Sequence, residues 1–237
     1  MTTMHEGPDS ALPMRASALL LDMDGTLVDS GPAVERSWNR LFRAYDAERT
    51  FDHELHGVPA RHVISRVLGH LDDEDQRRAA QEIEEIEMDD VEGIVTLPGT
   101  ERLLAELDAA ATKLGHPTWT IVTSCTQPLF EARWARTGLP VPPDMVTADQ
   151  VTHGKPDPEP YALALTRLGL RPEDAVVIED SPGGLDSARA AGIRTVAVTT
   201  TTPAGELTER ADALLTSLDD VEVRVEDGAL LLTRRDE

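Results

Sequence analysis

Two aspartates spaced two residues apart are the feature of this sequence that most directly suggests chemistry. Asp22 and Asp24 follow the apolar run 18–21 and lead into a Gly-Thr turn. A short apolar run that ends in a turn predicts a buried strand of a parallel sheet, and open α/β sheets bind ligands at the carboxyl ends of their strands. The spacing places both carboxylates on one face of the strand, and two close carboxylates repel each other unless a cation offsets their charge.

Polar residues also follow two later apolar runs. Thr123 and Ser124 end the run that begins at residue 119, Glu179 and Asp180 follow the run 175–178, and a loop between them carries Lys155. Because the strand ends of one parallel sheet lie side by side, these groups are predicted to meet in a single crevice. Carboxylate oxygens suit Mg²⁺, hydroxyl and backbone N–H donors suit a phosphate, and a lysine adds a positive charge.

The charges of these groups predict phosphoryl transfer. A carboxylate that approaches a phosphate dianion meets two charges, and each costs about 1 kcal/mol at ~4 Å in water and about 4 kcal/mol at an effective dielectric near ~20. Mg²⁺ held by Asp22 and Asp180, together with Lys155, offsets that repulsion. Asp22 can then act as a nucleophile and form an aspartyl-phosphate. Asp24, if its neighbour's charge keeps it protonated, can protonate the leaving alcohol and later deprotonate a water.

The elements that position these residues alternate between helix and strand after residue 98. Pro160 and Gly169, for example, bracket one helix of the series, and the apolar run 175–178 predicts the next strand. Such alternation predicts an α/β fold with a Rossmann-like, doubly wound parallel sheet. The run 221–232, interrupted by Asp-Gly at 227–228, predicts a C-terminal β-hairpin.

Two breaks in the chain predict its domain organisation. Glycine and proline stand together at 31–32 and 98–99, and the segment between them has helical rather than alternating periodicity. Residues 1–15 mix prolines and acidic residues and have no long apolar run, so we expect them to form a flexible tail. Residues 16–29 and 98–237 are expected to form the α/β core, and residues 30–97 an inserted all-helical domain.

Four motifs, taken in order, resemble those of the haloacid dehalogenase superfamily. They are Asp22-Met-Asp-Gly-Thr26, Thr123-Ser124, Lys155-Pro156 and Glu179-Asp180-Ser181. The resemblance implies a phosphate-binding role for the Thr123 hydroxyl and a stabilising role for the Lys155 charge. It also implies that the backbone carbonyl of Asp24 completes a Mg²⁺ site formed by Asp22 and Asp180, with Glu179 beside it. The helical insert at 30–97 resembles the mobile cap of that superfamily, whose closure excludes water.

A narrower resemblance is to the glycerol-phosphate and 2-deoxyglucose-6-phosphate phosphatases. It rests on the stretches 30–38, 56–57, 122–124 and 146–161. The implied reaction is hydrolysis of a small sugar or polyol phosphate. Thr123 and Ser124 are the expected phosphate ligands, and His56 and Arg61 of the cap are further candidates for substrate binding.

Two alternatives remain open at this point. A sugar phosphomutase of the same superfamily would return the phosphoryl group to another hydroxyl. Resemblance to β-phosphoglucomutase, however, leads us to expect a histidine at the cap hinge, where this chain has Val34. A non-catalytic phosphosugar-binding protein is the second alternative. Retention of both Asp22 and Asp24 argues against it, because binding alone needs no nucleophile.

The composition limits the possible partners. The 237 residues carry a formal net charge of −22, which argues against nucleic acid and anionic membranes as partners. Cys125 is the only cysteine, so no internal disulfide can form, and a reducing cytoplasm is the predicted location. We expect a monomer whose partner is a small phosphorylated metabolite.

Overall fold

The structure is a computed structural model that describes residues 12–52, 55, 60–142 and 144–235. In chain order its strands are β1 (Met14–Ala16), β2 (Ala18–Leu21), β3 (Val28–Asp29), β4 (Val95–Thr96), β5 (Trp119–Ile121), β6 (Ala175–Glu179), β7 (Arg194–Val198), β8 (Ala213–Leu215), β9 (Val221–Glu226) and β10 (Ala229–Arg234). Its helices are α1 (Gly31–Ala44), α2 (Ala60–Val67), α3 (Asp73–Asp89), α4 (Thr100–Leu114), α5 (Gln127–Trp134), α6 (Glu159–Leu168), α7 (Pro182–Ala190) and α8 (Ala204–Leu207). None of the helices in these ranges is long and apolar enough to cross a bilayer.

A five-stranded parallel sheet in the order β5-β2-β6-β7-β8 forms the centre of the fold. Strand β2 is paired on both sides, with Leu21 opposite Ile121 of β5 and Ile178 of β6. Every residue of β2 and β6 is buried, as expected of parallel strands that are covered on both faces. The predicted α/β class with a parallel sheet is confirmed.

The side chains of β2 alternate between two apolar layers. Leu19 and Leu21 pack in a cluster with residues of α4 and α5, whereas Leu20 packs on the other face of the sheet with residues of α6 and α7. Successive side chains of a strand point to opposite faces, so a continuous apolar run fits a sheet with helices on both sides. This is the doubly wound arrangement that the sequence predicts.

The segment between β3 and β4 is helical and has its own apolar cluster. Helices α1, α2 and α3 bury side chains that include Trp38, Phe42, Ile64 and Ile83. The antiparallel pair β3 and β4 lies where the chain enters and leaves this segment. These elements support the predicted cap. The proposed boundaries remain 30–97 for the cap and 16–29 with 98–237 for the core.

A second, antiparallel sheet has the order β1-β10-β9. Strands β9 and β10 form the predicted hairpin, and its turn has positive φ at Asp227 (49°) and Gly228 (75°), as a type I′ turn requires. The prediction of a tail that extends to residue 15 is wrong at its end, because Met14 and Arg15 belong to β1 and pair with β10. The Met14 side chain is buried in the main apolar cluster, which explains why this segment is ordered.

Candidate active site

Three neighbouring strands bring the predicted site residues together. Asp22 follows β2, Thr123 lies two residues beyond β5, Glu179 is the last residue of β6, and Asp180 follows it. These strands are adjacent and parallel, so their carboxyl ends lie along one edge of the sheet. The predicted crevice is therefore present at this edge.

Lys155 lies at the centre of this crevice. Its Nζ donates to Asp22 Oδ1 at 2.7 Å, to Glu179 Oε1 at 2.6 Å and to the carbonyl oxygen of Val122 at 2.9 Å. All three ammonium protons therefore have acceptors. The Lys155 side chain is only 7% exposed, and these contacts compensate the cost of burying its charge.

Burial and neighbouring charges shift the titration of this cluster. Burial, followed by the Glu179 carboxylate, raises the pKa of Asp22 to about 7. Burial, with Glu179 and Asp22, also raises the pKa of Asp180 well above its ordinary value. Burial opposes the charge of Lys155, but Asp22 and Glu179 outweigh it and raise the pKa of Lys155 above its ordinary value. The raised pKa values of Asp22 and Asp180 mean that the positive charge nearby is too small to offset the carboxylates. Lys155 itself stays protonated.

The acidic cluster has the chemistry of a divalent-cation site. Asp22, Glu179 and Asp180 each offer a carboxylate oxygen, and these oxygens lie within 4.8 Å of one another. All three side chains are buried, and the charge of Lys155 balances only one of them. Hard oxygen ligands with excess negative charge suit Mg²⁺. The residues therefore fit the predicted metal.

Two threonines donate hydrogen bonds to Asp180, and a glycine leaves room for its carboxylate. Thr26 Oγ1 donates to Asp180 Oδ1 at 3.3 Å, and the Thr201 hydroxyl donates to Oδ2. Gly25 has φ +84°, and a Cβ there would lie 2.2 Å from Asp180 Oδ2. The close approach of the backbone to this carboxylate therefore requires glycine. The sequence gives no signal for Thr201, which lies beyond β7.

Both oxygens of Glu179 already have donors. Oε1 accepts from Lys155 and, at 3.2 Å, from the Tyr161 hydroxyl. Oε2 accepts from the backbone N–H groups of Asp180 and Ser181 and from the Ser181 hydroxyl, each at 3.0 Å. A metal would have to displace one of these donors from Glu179. This arrangement favours Glu179 as the residue that orients Lys155.

Asp24 contacts a cation that the sequence analysis misses. Its Oδ2 lies 3.0 Å from Arg133 Nη1 and accepts from the Cys125 thiol at 3.0 Å, and its Oδ1 accepts from the Ser30 hydroxyl at 2.5 Å. From the sequence, the expected charged neighbour of Asp24 is Asp22; the structure keeps Asp22 near Asp24 and adds the guanidinium of Arg133 on its other side. Arg133 lies on α5, the helix that follows Thr123, but apolar neighbours on that helix make it resemble a core position.

A cavity of about 270 Å³ opens above these groups. Lys155 and the strand-end acids line one part of it, and the helical segment contributes apolar residues that include Val34, Trp38, Phe51, Ala80 and Ile83. The Trp38 and Phe51 rings stack with their centroids 5.8 Å apart. Glu84 and Glu87 of α3 add carboxylates to the lining. A ligand in this cavity would contact both the sheet edge and the helical segment.

The four predicted substrate-binding residues differ in where the structure places them relative to the cavity. Thr123 and Ser124 line the cavity, and Thr123 Oγ1 accepts from the backbone N–H of Cys125 at 3.1 Å. Arg61 does not reach the cavity. It is exposed on α2 and lines a separate hollow beside α3, because the buried side chains of its helix are Val63 and Ile64. His56 lies outside the described residues.

The fold and the site together define a class of protein. A doubly wound parallel sheet presents two aspartates after β2 and an acidic pair at the end of β6, and a lysine and a helical segment line the same cavity. This combination of strand-end polar groups beside one cavity is typical of α/β enzymes that act on small ligands.

The chain belongs to the haloacid dehalogenase-like hydrolase family, whose model matches residues 19–198. It is 39% identical to hexitol phosphatase A of Escherichia coli (strain K12), over 89% of this chain and 95% of that protein. It is 33% identical to 2-deoxyglucose-6-phosphate phosphatase 1 of Saccharomyces cerevisiae, over 78% of this chain and 80% of that protein.

A solved structure agrees with these matches. The crystal structure of CbbY from Rhodobacter sphaeroides in complex with phosphate has a TM-score of 0.70 at 30% identity, over 86% of this chain and 95% of that one. The predicted family and fold are therefore confirmed. The predicted enzyme class, a phosphoric monoester hydrolase, is confirmed by the phosphatase relatives.

Proposed function

We propose that this protein is a Mg²⁺-dependent phosphatase that hydrolyses a small phosphorylated sugar or polyol through an aspartyl-phosphate on Asp22. The observation that carries the proposal is the buried contact of Lys155 with both Asp22 and Glu179, beside Asp180 and at the base of a cavity. The names of the relatives, a hexitol phosphatase and a 2-deoxyglucose-6-phosphate phosphatase, support this substrate class.

The first step transfers the phosphoryl group to the protein. An oxygen of Asp22 attacks phosphorus, the bond between phosphorus and the alcohol oxygen breaks, and Asp24, which has to enter this step in its protonated form, gives that proton to the leaving alcohol. Lys155 holds Asp22 Oδ1 at 2.7 Å and so fixes the carboxylate for attack. Thr123 and Ser124 line the cavity beside Asp22 and provide hydroxyl groups for the phosphate oxygens.

The second step releases inorganic phosphate. A water attacks the phosphorus of the aspartyl-phosphate and gives a proton to Asp24, and the bond between phosphorus and the Asp22 oxygen breaks. Asp24 has then regained the proton that it lost, so the residue is ready for another cycle. Its side chain is 25% exposed and lines the cavity, so it can reach both a leaving oxygen and a water.

Asp22 and Asp180, with the backbone carbonyl of Asp24, are the proposed ligands of Mg²⁺. When bound, the metal neutralises charge on the phosphoryl oxygens. Each negative charge that Asp22 meets on a phosphate dianion costs about 4 kcal/mol at ~4 Å and an effective dielectric near ~20. Lys155 alone cannot offset this repulsion, because it also balances Glu179.

Residues 30–97 are proposed to act as a cap that covers the substrate and contacts its alcohol part. Trp38, Phe51 and other apolar side chains of this segment line the cavity, so they can exclude water from the reacting groups. A cytoplasmic location and a monomeric state are part of the same proposal.

The proposal is tested by an Asp22→Asn variant. We expect Mg²⁺-dependent release of phosphate from sugar and polyol phosphates to be abolished, with the circular dichroism spectrum unchanged. Asp89→Asn is the matched control, because Asp89 is exposed near the end of α3 and distant in sequence from the strand ends. Turnover of Asp22→Asn at the wild-type rate would refute the role of Asp22.

Product analysis separates hydrolysis from the two alternatives. A hydrolase releases inorganic phosphate, whereas a mutase converts a sugar bisphosphate and monophosphate into an isomer and releases little phosphate. A binding protein would bind a sugar phosphate without turnover. Val34, which stands where the mutase resemblance leads us to expect a histidine, lines the cavity and offers no proton donor.

A further inference from the structure

Arg133 connects Asp24 with the helical segment. Its Nη1 lies 3.0 Å from Asp24 Oδ2, and its Nη2 lies 3.1 Å from Glu87 Oε1. Arg133 belongs to α5 of the core, whereas Glu87 belongs to α3 of the proposed cap. One guanidinium therefore bridges the proposed acid/base residue and the cap.

The surroundings of Arg133 restrict its orientation. The side chain is 6% exposed, and Nη1 also contacts Cys125 Sγ at 3.2 Å. Burial opposes the charge of Arg133, but Asp24, Cys125 and Glu87 outweigh it and raise the pKa of Arg133 above its ordinary value. A buried guanidinium is costly unless it is paired, and its planar fork holds two acceptors in fixed directions.

The two oxygens of Asp24 have unequal environments. Oδ2 is held by Arg133 and by the Cys125 thiol, whereas Oδ1 has one small donor, the Ser30 hydroxyl. Releasing Oδ1 requires only the rotation of one hydroxyl group. Oδ1 is thus the oxygen that is available for proton exchange, while Oδ2 fixes the plane of the carboxyl group.

We propose that Arg133 is a positioning residue for Asp24. It holds Oδ2 so that Oδ1 faces the leaving oxygen of the substrate, and Glu87 fixes the other side of the guanidinium. This inference rests on the proposed function, because it acts through the proton transfer assigned to Asp24. It also gives α3 a role, since placing Glu87 beside Arg133 couples the cap helix to the acid/base residue.

The test uses two esters that differ in their need for a proton. The alcohol part of an alkyl phosphate is a poor leaving group as an alkoxide and needs a proton from Asp24, whereas p-nitrophenolate leaves without a proton. The value of kcat/KM reports the steps up to departure of the leaving group. A defect in the position of Asp24 should therefore appear with the alkyl ester and be nearly absent with the aryl ester.

The primary variant is Arg133→Gln. The alkyl ester is glycerol 1-phosphate or 2-deoxyglucose 6-phosphate, whichever the wild type hydrolyses faster. We expect kcat/KM to fall about 100-fold for the alkyl ester and less than about threefold for p-nitrophenyl phosphate, the pattern of lost general-acid catalysis. Arg133→Lys retains the charge but not the fork, and it should recover part of the alkyl activity. Because lysine keeps a positive charge opposite Asp24 and Glu87, Arg133→Lys is also the variant to measure if Arg133→Gln does not fold.

A double-mutant comparison completes the test. In an Asp24→Asn background, replacing Arg133 by lysine or glutamine should lower kcat/KM for the alkyl ester by less than a further factor of about three. The effects of residues that act as a unit are not additive. Equal losses on both esters, or full additivity with Asp24→Asn, would overturn the inference and leave Arg133 a structural ion pair. If wild type releases phosphate from neither ester, or Asp24→Asn shows no dependence on the leaving group, the proposed function itself has failed.

Discussion

The raised pKa of Asp22 makes a quantitative prediction about stability without metal. Burial and the charge of Glu179 raise the pKa from an ordinary value of 3.8 to about 7 in the folded protein. A carboxyl group whose pKa is higher when folded stabilises the fold below its unfolded pKa. This stability is lost as the pH rises through the folded pKa. One pKa unit corresponds to about 1.4 kcal/mol, so Asp22 should cost the fold about 4 kcal/mol above pH ~7.

The contribution of Asp22 is obtained by subtracting the free energy of unfolding of an Asp22→Asn variant from that of wild type. Urea unfolding of wild type and Asp22→Asn is measured in EDTA from pH 5.5 to pH 8, which stays above the isoelectric point of about 4.6. The free energy of unfolding of wild type, relative to the variant, should fall by about 2 kcal/mol across this range. Lys155 stays charged throughout, so the loss of its partner in the variant adds a constant offset. Loss of the Asp22 charge also leaves the pKa of Asp180 less raised in the variant, which adds to the expected fall of the difference. A difference that is flat or increases with pH would refute the burial argument.

Two further predictions concern the same cluster. In Gly184→Ala, the new Cβ would lie 1.6 Å from Glu179 Oε1. Glu179, and the Lys155 that it holds, must therefore move by at least ~1 Å. Because this displaces the groups that hold Asp22, we expect kcat/KM for phosphate release to fall about 100-fold. Gly183→Ala, on the same helix with nothing within 4 Å, should retain wild-type activity, and equal activity of the two variants would contradict this account. Mg²⁺ needs Asp22 and Asp180 ionised, so its affinity, measured by calorimetry, should increase as the pH rises from 6 to 8; an affinity that is independent of pH would count against these ligands.

Much of the site could be predicted because local patterns determine it. The apolar run before Asp22 predicts a strand that is buried on both faces, and the structure places Leu19 and Leu20 in opposite apolar layers. In a parallel sheet, residues that follow such strands meet at one edge, so Asp22 and Asp180 could be grouped from the sequence. Lys155 lies in a loop and could be added only through its place between the other motifs. The Asp-Gly turn likewise predicts the terminal hairpin, because its residues accept positive φ.

Some features depend on contacts that no local pattern encodes. Residues 14 and 15 resemble a polar tail, yet Met14 pairs with Leu232 at the other end of the chain and is buried there. Arg61 resembles a substrate ligand, but the position of α2 turns it away from the cavity. The sequence does not predict strand β8, because its apolar run, Ala213–Leu215, ends after three residues and has no periodicity to recognise.

The sequence by itself determined the chemical groups of the site and the strand ends that carry them, because strand period and turn residues are properties of a few adjacent positions. Only the tertiary structure decided how these groups are held. Thr201 reaches Asp180, and Arg133 lies between Asp24 and Glu87, through contacts that link distant segments of the chain. A positive charge, Arg133, therefore lies beside Asp24 in addition to the expected negative charge of Asp22, because the packing of α5 against the sheet edge and α3 sets that contact.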